Sequence, residues 1–349
     1  MNTIEVLREL RAKNFSKQIL TEAIKIASEK DFMPVFEYAE ELCEKNFGKN
    51  VYIRGIVEFT NNCRKNCNYC GIRRENTQVT RYRVTGHEIL SSVKIMFEQG
   101  VKTVVLQGGE DVKIDDDLFL IIQSIKSSYD MAVTISIGER TAEVYRKLKE
   151  AGSDRFLLRI ETTDKNLFKH LHPDDNFEER MQCLKTLKNL KFEVGTGVML
   201  GLPGQSFTSI ADDLLFFKEF MPEMIGLGPF IPHALTPMAM EKGGNLFLTL
   251  KTLALSRILL PNVNIPATTA MGTADPKGRQ KALMYGANVI MPNYTPIKYR
   301  EKYMLYDKKI CVSEMCTRFC TDKIVSEAGK IIIDSKGFSK LTKDNEQIS

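Results

Sequence analysis

No run of apolar residues approaches the roughly 20 that a membrane-spanning helix needs. The most apolar stretch, Phe216 to Met240, is interrupted by Pro222, Pro229, Pro232 and Pro237 and carries Lys218, Glu219 and Glu223. The opening MNTIEVLRELRAKNF alternates charged and apolar residues as an amphipathic helix does and has no apolar core of a secretory signal. Charge of one sign is scarce too: 49 basic against 44 acidic residues leave +5, too little to make nucleic acid or an anionic membrane the main partner. Internal repeats and low-complexity segments are missing, and tryptophan is absent. What remains, 43% hydrophobic and 27% charged residues over 349 positions, is the composition of a globular protein with a large core and excludes a disordered or fibrous chain. These features predict a cytoplasmic protein. Eight cysteines in such a chain suggest metal ligation or thiol chemistry rather than a disulfide framework.

Periodicity divides the chain into three parts: a helical segment over 1–48, an alternating strand–helix region over 49–292, and a C-terminal extension over 293–349. Strands are expected at Val51–Phe59, Thr103–Gln107, Ala132–Ser136, Arg155–Arg159, Glu193–Met199, Met224–Leu227, Asn264–Pro266 and Asn288–Ile290. Helices fall between them at Gly86–Gln99, Asp116–Ser127, Thr141–Ala151, Phe177–Lys188, Phe207–Phe220, Leu246–Leu260 and Gly278–Tyr285. Eight strands joined by seven helices predict an α/β fold, a (β/α)8 TIM barrel with N-terminal helices and a cysteine-containing tail.

The strongest chemical signal is Cys63-x3-Cys67-x2-Cys70, directly after the first barrel strand and so at the barrel's active face. A structural zinc site wants four ligands. His87, the nearest histidine, reads as a solvated residue at a helix start, and His170 and His172 read as a loop rather than a ligand pair. Three cysteines instead suit an iron–sulfur cube with one iron left open. Cys43 and Cys183 lie on predicted helices and read as inert. Gln107-Gly108-Gly109-Glu110 ends the second strand, where two glycines allow close approach of a ligand. Arg159, in an apolar run, is costly to bury without an anion: a ligand carboxylate, or a structural partner in Glu161 or Glu139. Arg180 reads as a solvated helix charge. The glycines of Gly195 to Gly204 lack dinucleotide-binding spacing.

The cysteine triplet with Tyr69 before its last member resembles the signature of the radical S-adenosylmethionine (SAM) superfamily. VEFTNNCRKNCNYCGIRR, RYRVT, VLQGGED, LRIET, VMLGLPGQ, GPFIPH, IPATTAMGT and GANVIMPN are similar, more narrowly, to the radical-SAM enzymes of [FeFe]-hydrogenase maturation, over about residues 1–312. The resemblance implies a [4Fe–4S] cluster on Cys63, Cys67 and Cys70 that reductively cleaves SAM to a 5′-deoxyadenosyl radical. It implies SAM contacts from Gly108, Gly109, Glu110, Ser136, Glu161 and Arg180, with the Tyr69 backbone beside the adenine. It implies that Thr134, Arg159, Thr268 and Thr269 anchor a small carboxylate- or cysteine-bearing organometallic precursor, and that Met224, Met291, Tyr303 and Tyr306 line its cavity. Gly108 stands where the family has serine, and Ile160 where it has histidine after Arg159.

In the tail, Cys311, Cys316 and Cys320 resemble the family's ligands for an auxiliary [2Fe–2S] cluster, with a shorter first gap and a longer second one. A peripheral, labile or absent cluster, not needed for catalysis, is therefore expected there. Implied partners are the small-molecule substrate, other hydrogenase maturation proteins and a reductant such as ferredoxin or flavodoxin; a nucleic acid or membrane is not expected. Two other readings are a radical-SAM amino-acid mutase of the methylornithine synthase type and a non-catalytic iron–sulfur scaffold.

Overall fold

The computed structural model describes residues 1–310 and 318–341. Three helices open the chain: α1 (Thr3–Arg11), α2 (Lys17–Lys25) and α3 (Glu29–Phe47). Asn2, Ser16 and Ser28 cap them by accepting amide N–H groups of the first turn. The barrel strands follow: β1 (Asn50–Ile53) and β2 (Gly55–Thr60), which are one strand interrupted at Arg54, then β3 (Thr103–Gly108), β4 (Ala132–Ser136), β5 (Arg155–Leu157), β6 (Glu193–Leu200), β7 (Met224–Pro229), β8 (Pro266–Ala267) and β9 (Val289–Ile290). Between them run α4 (Gly86–Glu98), α5 (Asp115–Ser128), α6 (Ala142–Glu150), α7 (Lys165–Leu171), α8 (Phe177–Asn189), α9 (Phe207–Phe220), α10 (Leu246–Leu259), α11 (Thr269–Ala274) and α12 (Gly278–Met284); α13 (Ile297–Arg300), α14 (Arg318–Glu327) and β10 (Ile331–Ile333) close the described chain.

All the pairings between named strands are parallel. β2 to β7 form one sheet in sequence order, and β8–β9–β1 continue the circle. Single bridges, Met224 with Asn264 and Ile56 with Asn293, close the two seams. The result is an eight-stranded parallel barrel with its helices outside, the architecture expected from the strand–helix alternation. Valine, isoleucine and leucine of the strands and of the inward helix faces are buried in one continuous core. α2 packs against α9 and α3 against α10, so the N-terminal helices extend the outer layer.

Three features depart from the sequence expectations. Strand β5 stops at Leu157, and four residues on Glu161 takes a left-handed backbone (φ +66°). His170 and Leu171 belong to helix α7, capped by the Asp164 carboxylate, and not to a loop. The C-terminal extension works at both ends of the barrel. Residues 303–309 cross the mouth, while β10 pairs with β1 at the opposite end. There the Gly337 carbonyl accepts from Arg54 at 3.0 Å and Asn264 at 3.1 Å, and the Lys336 carbonyl from Arg155 at 2.8 Å. Two backbone carbonyls and three side chains thus stopper the barrel floor. Residues 342–349 lie outside the described residues.

Candidate active site

The cysteine loop leaves β2 just after a register shift between Glu58 and Thr60. Its course is fixed by side chains that bond its backbone. Arg81 donates to the carbonyls of Asn61, Ile72 and Arg73, and Asn61 donates to those of Thr80 and Lys302. Gly109 is required by close approach, since a Cβ there would lie 2.3 Å from the Asn62 carbonyl oxygen and 2.8 Å from Cys63 Cβ. The Glu110 amide donates to Cys63 Sγ at 3.4 Å.

Burial raises all three thiols, Cys70 to about 12, and each is pushed further by its neighbours' charge. Three half-buried thiols, of which Cys67 is opposed by the charge of both others and Cys70 by that of Cys63, call for a shared cationic centre. The cleft they line holds no fourth cysteine among the described residues, whereas a structural zinc ion takes four protein ligands. The donor set therefore fits a multi-iron cluster with an open corner better than a single tetrahedral ion.

Beside the triplet lies a buried ionic girdle. Arg180 donates to Glu139 at 2.5 Å, to Asp175 at 2.9 Å and to the Arg159 carbonyl at 2.6 Å. Lys65, inside the cysteine loop, pairs with Asp175 and with Glu139 at 2.9 Å. Glu110 accepts from Arg64 Nε at 3.0 Å and from the Glu139 amide at 2.8 Å. Burial opposes the charge on Arg180 and Lys65, yet their carboxylate partners keep both firmly protonated. Burial raises the Glu110 carboxyl, against the pull of Lys65. Arg180, expected on its own helix to be solvated, is 5% exposed.

A cavity of about 330 Å³ fills the barrel mouth beyond the girdle. Arg159, Thr268, Thr269, Met224, Met291, Tyr303 and Tyr306 all line it. Tyr69, Gly108, Ser136, Glu161 and Arg159 line both this cavity and the cleft over the cysteines, so the two spaces share a wall. Cys63, Cys67, Cys70, Gly109, Glu110 and Arg180 line the cleft alone. Arg159 Nε donates to both Glu161 oxygens, at 2.9 and 3.0 Å, and its Nη groups have no partner among the described residues. The Thr268 hydroxyl donates to the Leu227 carbonyl at 2.9 Å. Thr134 is set apart: its buried, unpartnered hydroxyl lines a smaller space below, with Leu157 and Met224 between it and the mouth.

Glu161 is held in its left-handed conformation by the Gly197 carbonyl, which accepts its amide at 3.0 Å, and by the Met199 amide, which donates to its carbonyl at 3.1 Å. A non-glycine residue there costs about 1–3 kcal/mol. Next in the chain, Thr163 donates its amide (2.7 Å) and hydroxyl (2.6 Å) to Asp213. Burial pushes the Asp213 carboxyl up to about 7 from 3.8, against those hydrogen bonds. The folded state thus binds this proton more tightly than the unfolded chain. Stability contributed by Asp213 is complete below pH 3.8 and falls as pH rises toward about 7. The slope is on the order of 1 kcal/mol per pH unit. Asp213→Asn should remove this part of the pH dependence in denaturant melts between pH 5 and 8 and be the more stable protein at pH 8.

Several site groups were not anticipated from sequence. Lys309 and Glu58 form a buried ion pair on the cavity wall. His172 and Asp175 stand beside Cys67. A charged residue at an inward position of VYIRGIVEF was a legible sign for Glu58; Lys309, in a polar tail, had none.

The chain matches the Radical SAM superfamily over residues 57–217. It is 49% identical over 329 residues, 93% of its own length and 94% of the relative's, to the [FeFe] hydrogenase maturase subunit HydE of Thermotoga maritima. The chain belongs to the HydE family of [FeFe]-hydrogenase maturases. This HydE-family chain is also 26% identical to the 3-methylornithine synthase of Methanosarcina acetivorans, over 76% of each. Two solved structures share its fold. Methylornithine synthase PylB superposes with a TM-score of 0.82 at 21% identity, over 96% of this chain and 97% of that one. The [FeFe]-hydrogenase maturase HydG does so with 0.81 at 20%, over 96% and 77%. Membership makes the chain a radical-SAM enzyme and implies a [4Fe–4S] cluster and SAM. Among the described residues no helix is long and apolar enough to cross a membrane. Of the tail cysteines, Cys311 and Cys316 lie outside the described residues; Cys320 is on α14.

Proposed function

We propose that Cys63, Cys67 and Cys70 hold the [4Fe–4S] cluster and that SAM occupies the cleft above them, against Gly108, Gly109, Glu110, Ser136, Glu161 and Arg180, with the Tyr69 backbone beside the adenine. When bound, the cluster supplies the electron that cleaves the sulfonium of SAM. The chain's own residues do the rest. The girdle of Lys65, Arg180, Glu139 and Asp175 ties the cysteine loop to α8 and to the strand ends. Met199, Met224 and Met291 give the cavity apolar walls that exclude water. The open guanidinium edge of Arg159 and the hydroxyls of Thr268 and Thr269 receive the carboxylate of a small, cysteine-bearing organometallic precursor of the hydrogenase active site. Thr134 acts from below, through the floor formed by Leu157 and Met224. Tyr303 and Tyr306 close the space from above.

The observation that carries this reading is the wall shared by the three-thiol cleft and the Arg159 cavity: a radical generated at one is delivered to the other without crossing solvent. For Cys311, Cys316 and Cys320 the proposal is a peripheral [2Fe–2S] site, dispensable for the reaction. A cytosolic location, a ferredoxin- or flavodoxin-type reductant and contacts with other maturation proteins accompany it. Anaerobically reconstituted protein, reduced in the presence of SAM, should release 5′-deoxyadenosine and should activate [FeFe]-hydrogenase in an extract lacking its own maturase of this family. Release without activation would point instead to an amino-acid mutase. No release from fully loaded protein would leave only a scaffold.

A further inference from the structure

His172 follows helix α7 as its C-terminal cap; its ring is 2% exposed and packs between Phe168, at 4.6 Å, and the edge of Tyr69, at 5.4 Å. Neither ring nitrogen has a hydrogen-bond partner among the described residues. Asp175, 3.5 Å from Nδ1, is already engaged by Arg180 and Lys65. A buried imidazole carries at least one N–H in either protonation state, and such donors are seldom left unpaired. Beside it stands Cys67, whose Sγ lies within 4.8 Å of a ring nitrogen.

The three thiols differ in a matching way. Cys63 accepts the Glu110 amide at 3.4 Å and is also faced by the Lys65 amide, and the Ile72 amide faces Cys70. No hydrogen bond reaches Cys67 among the described residues. A thiol is a weak acceptor and a metal-bound thiolate a strong one. In a four-iron cube the iron held by Cys67 has three sulfides and one thiolate, so it offers the imidazole no vacant position.

We infer that His172 is a positioning residue for the cluster, donating a ring N–H to the Cys67 thiolate, so that each of the three cysteines has a donor to its sulfur. The inference rests on the cluster assignment above. Donors to cluster sulfur stabilise the reduced, more negative state and raise the reduction potential.

The test is a redox titration of the reconstituted chain without SAM, followed by electron paramagnetic resonance, in wild type, His172→Phe and His172→Gln. Phenylalanine keeps the ring contacts and removes the donor; glutamine keeps a donor. His172→Phe should load four irons, show altered g values and have about a tenfold smaller reduced-to-oxidised ratio at a given potential, equivalent to about 59 mV for one electron. His172→Gln should stay nearer the wild type. If phenylalanine prevents loading, a loaded glutamine variant near the wild-type potential supports the inference, and one shifted down by the full tenfold overturns it. A loaded His172→Phe with the wild-type potential and spectrum overturns it alone. A wild-type chain that takes up no four-iron cluster overturns the cluster assignment as well.

Discussion

Replacing Cys67 by alanine should reduce iron at the triplet from about four per chain to almost none and lower SAM cleavage by at least about a thousandfold. Its two partners cannot close the gap. The cleft offers no other cysteine among the described residues. Two thiolates cannot retain a cube that three hold with one corner open. Cys43→Ala is the control: that thiol is 1% exposed, far along the chain on α3, and lines neither the cleft nor the cavity. Iron analysis and 5′-deoxyadenosine release read the result. A Cys67→Ala protein that still cleaves SAM would move the cluster elsewhere.

Arg159→Ala should abolish hydrogenase activation while SAM cleavage without substrate turnover survives. The open Nη edge faces the cavity, so its loss removes two charge-assisted hydrogen bonds to a carboxylate. Each is worth about 1.5–3 kcal/mol, together a factor of about a hundred or more in substrate affinity. The same residue holds Glu161 through Nε, and Glu161 lines the SAM cleft. SAM affinity measured alongside activation separates the two roles. Arg159→Lys restores charge but not the two-pronged geometry and should recover only part of the activation. Loss of SAM binding equal to the loss of activation would mean that Arg159 acts through Glu161.

Much of this site was legible because it is built from short, contiguous signals. A strand followed by C-x3-C-x2-C and a strand ending in Gly-Gly-Glu each carry their own geometry, since the end of a parallel barrel strand has one destination, the mouth. Thr268 and Thr269 reached the cavity for the same reason. Thr134 also faces inward, but one turn of side-chain layers lower, a distinction that depends on strand stagger rather than on alternation. Arg180 was illegible on its helix because its partners, Glu139 and Asp175, come from the β4–α6 and α7–α8 connections. A charge with remote partners cannot be told from a solvated one by spacing.

From sequence alone came the barrel, the order of its eight strands and of seven of the helices between them, the thiol triplet and the residues at the strand ends. These follow from local periodicity and turn chemistry, which act within a dozen residues. Only the tertiary structure decided which of those groups share a wall, that Lys309 reaches Glu58 across 251 positions of the chain, that Gly337 stoppers the floor under Arg54, and that His172 comes to rest beside Cys67 with no hydrogen-bond partner among the described residues. Those choices belong to burial. A charge or an imidazole driven out of water must take whatever acceptor the fold brings near it, and that neighbour is set by how distant segments pack.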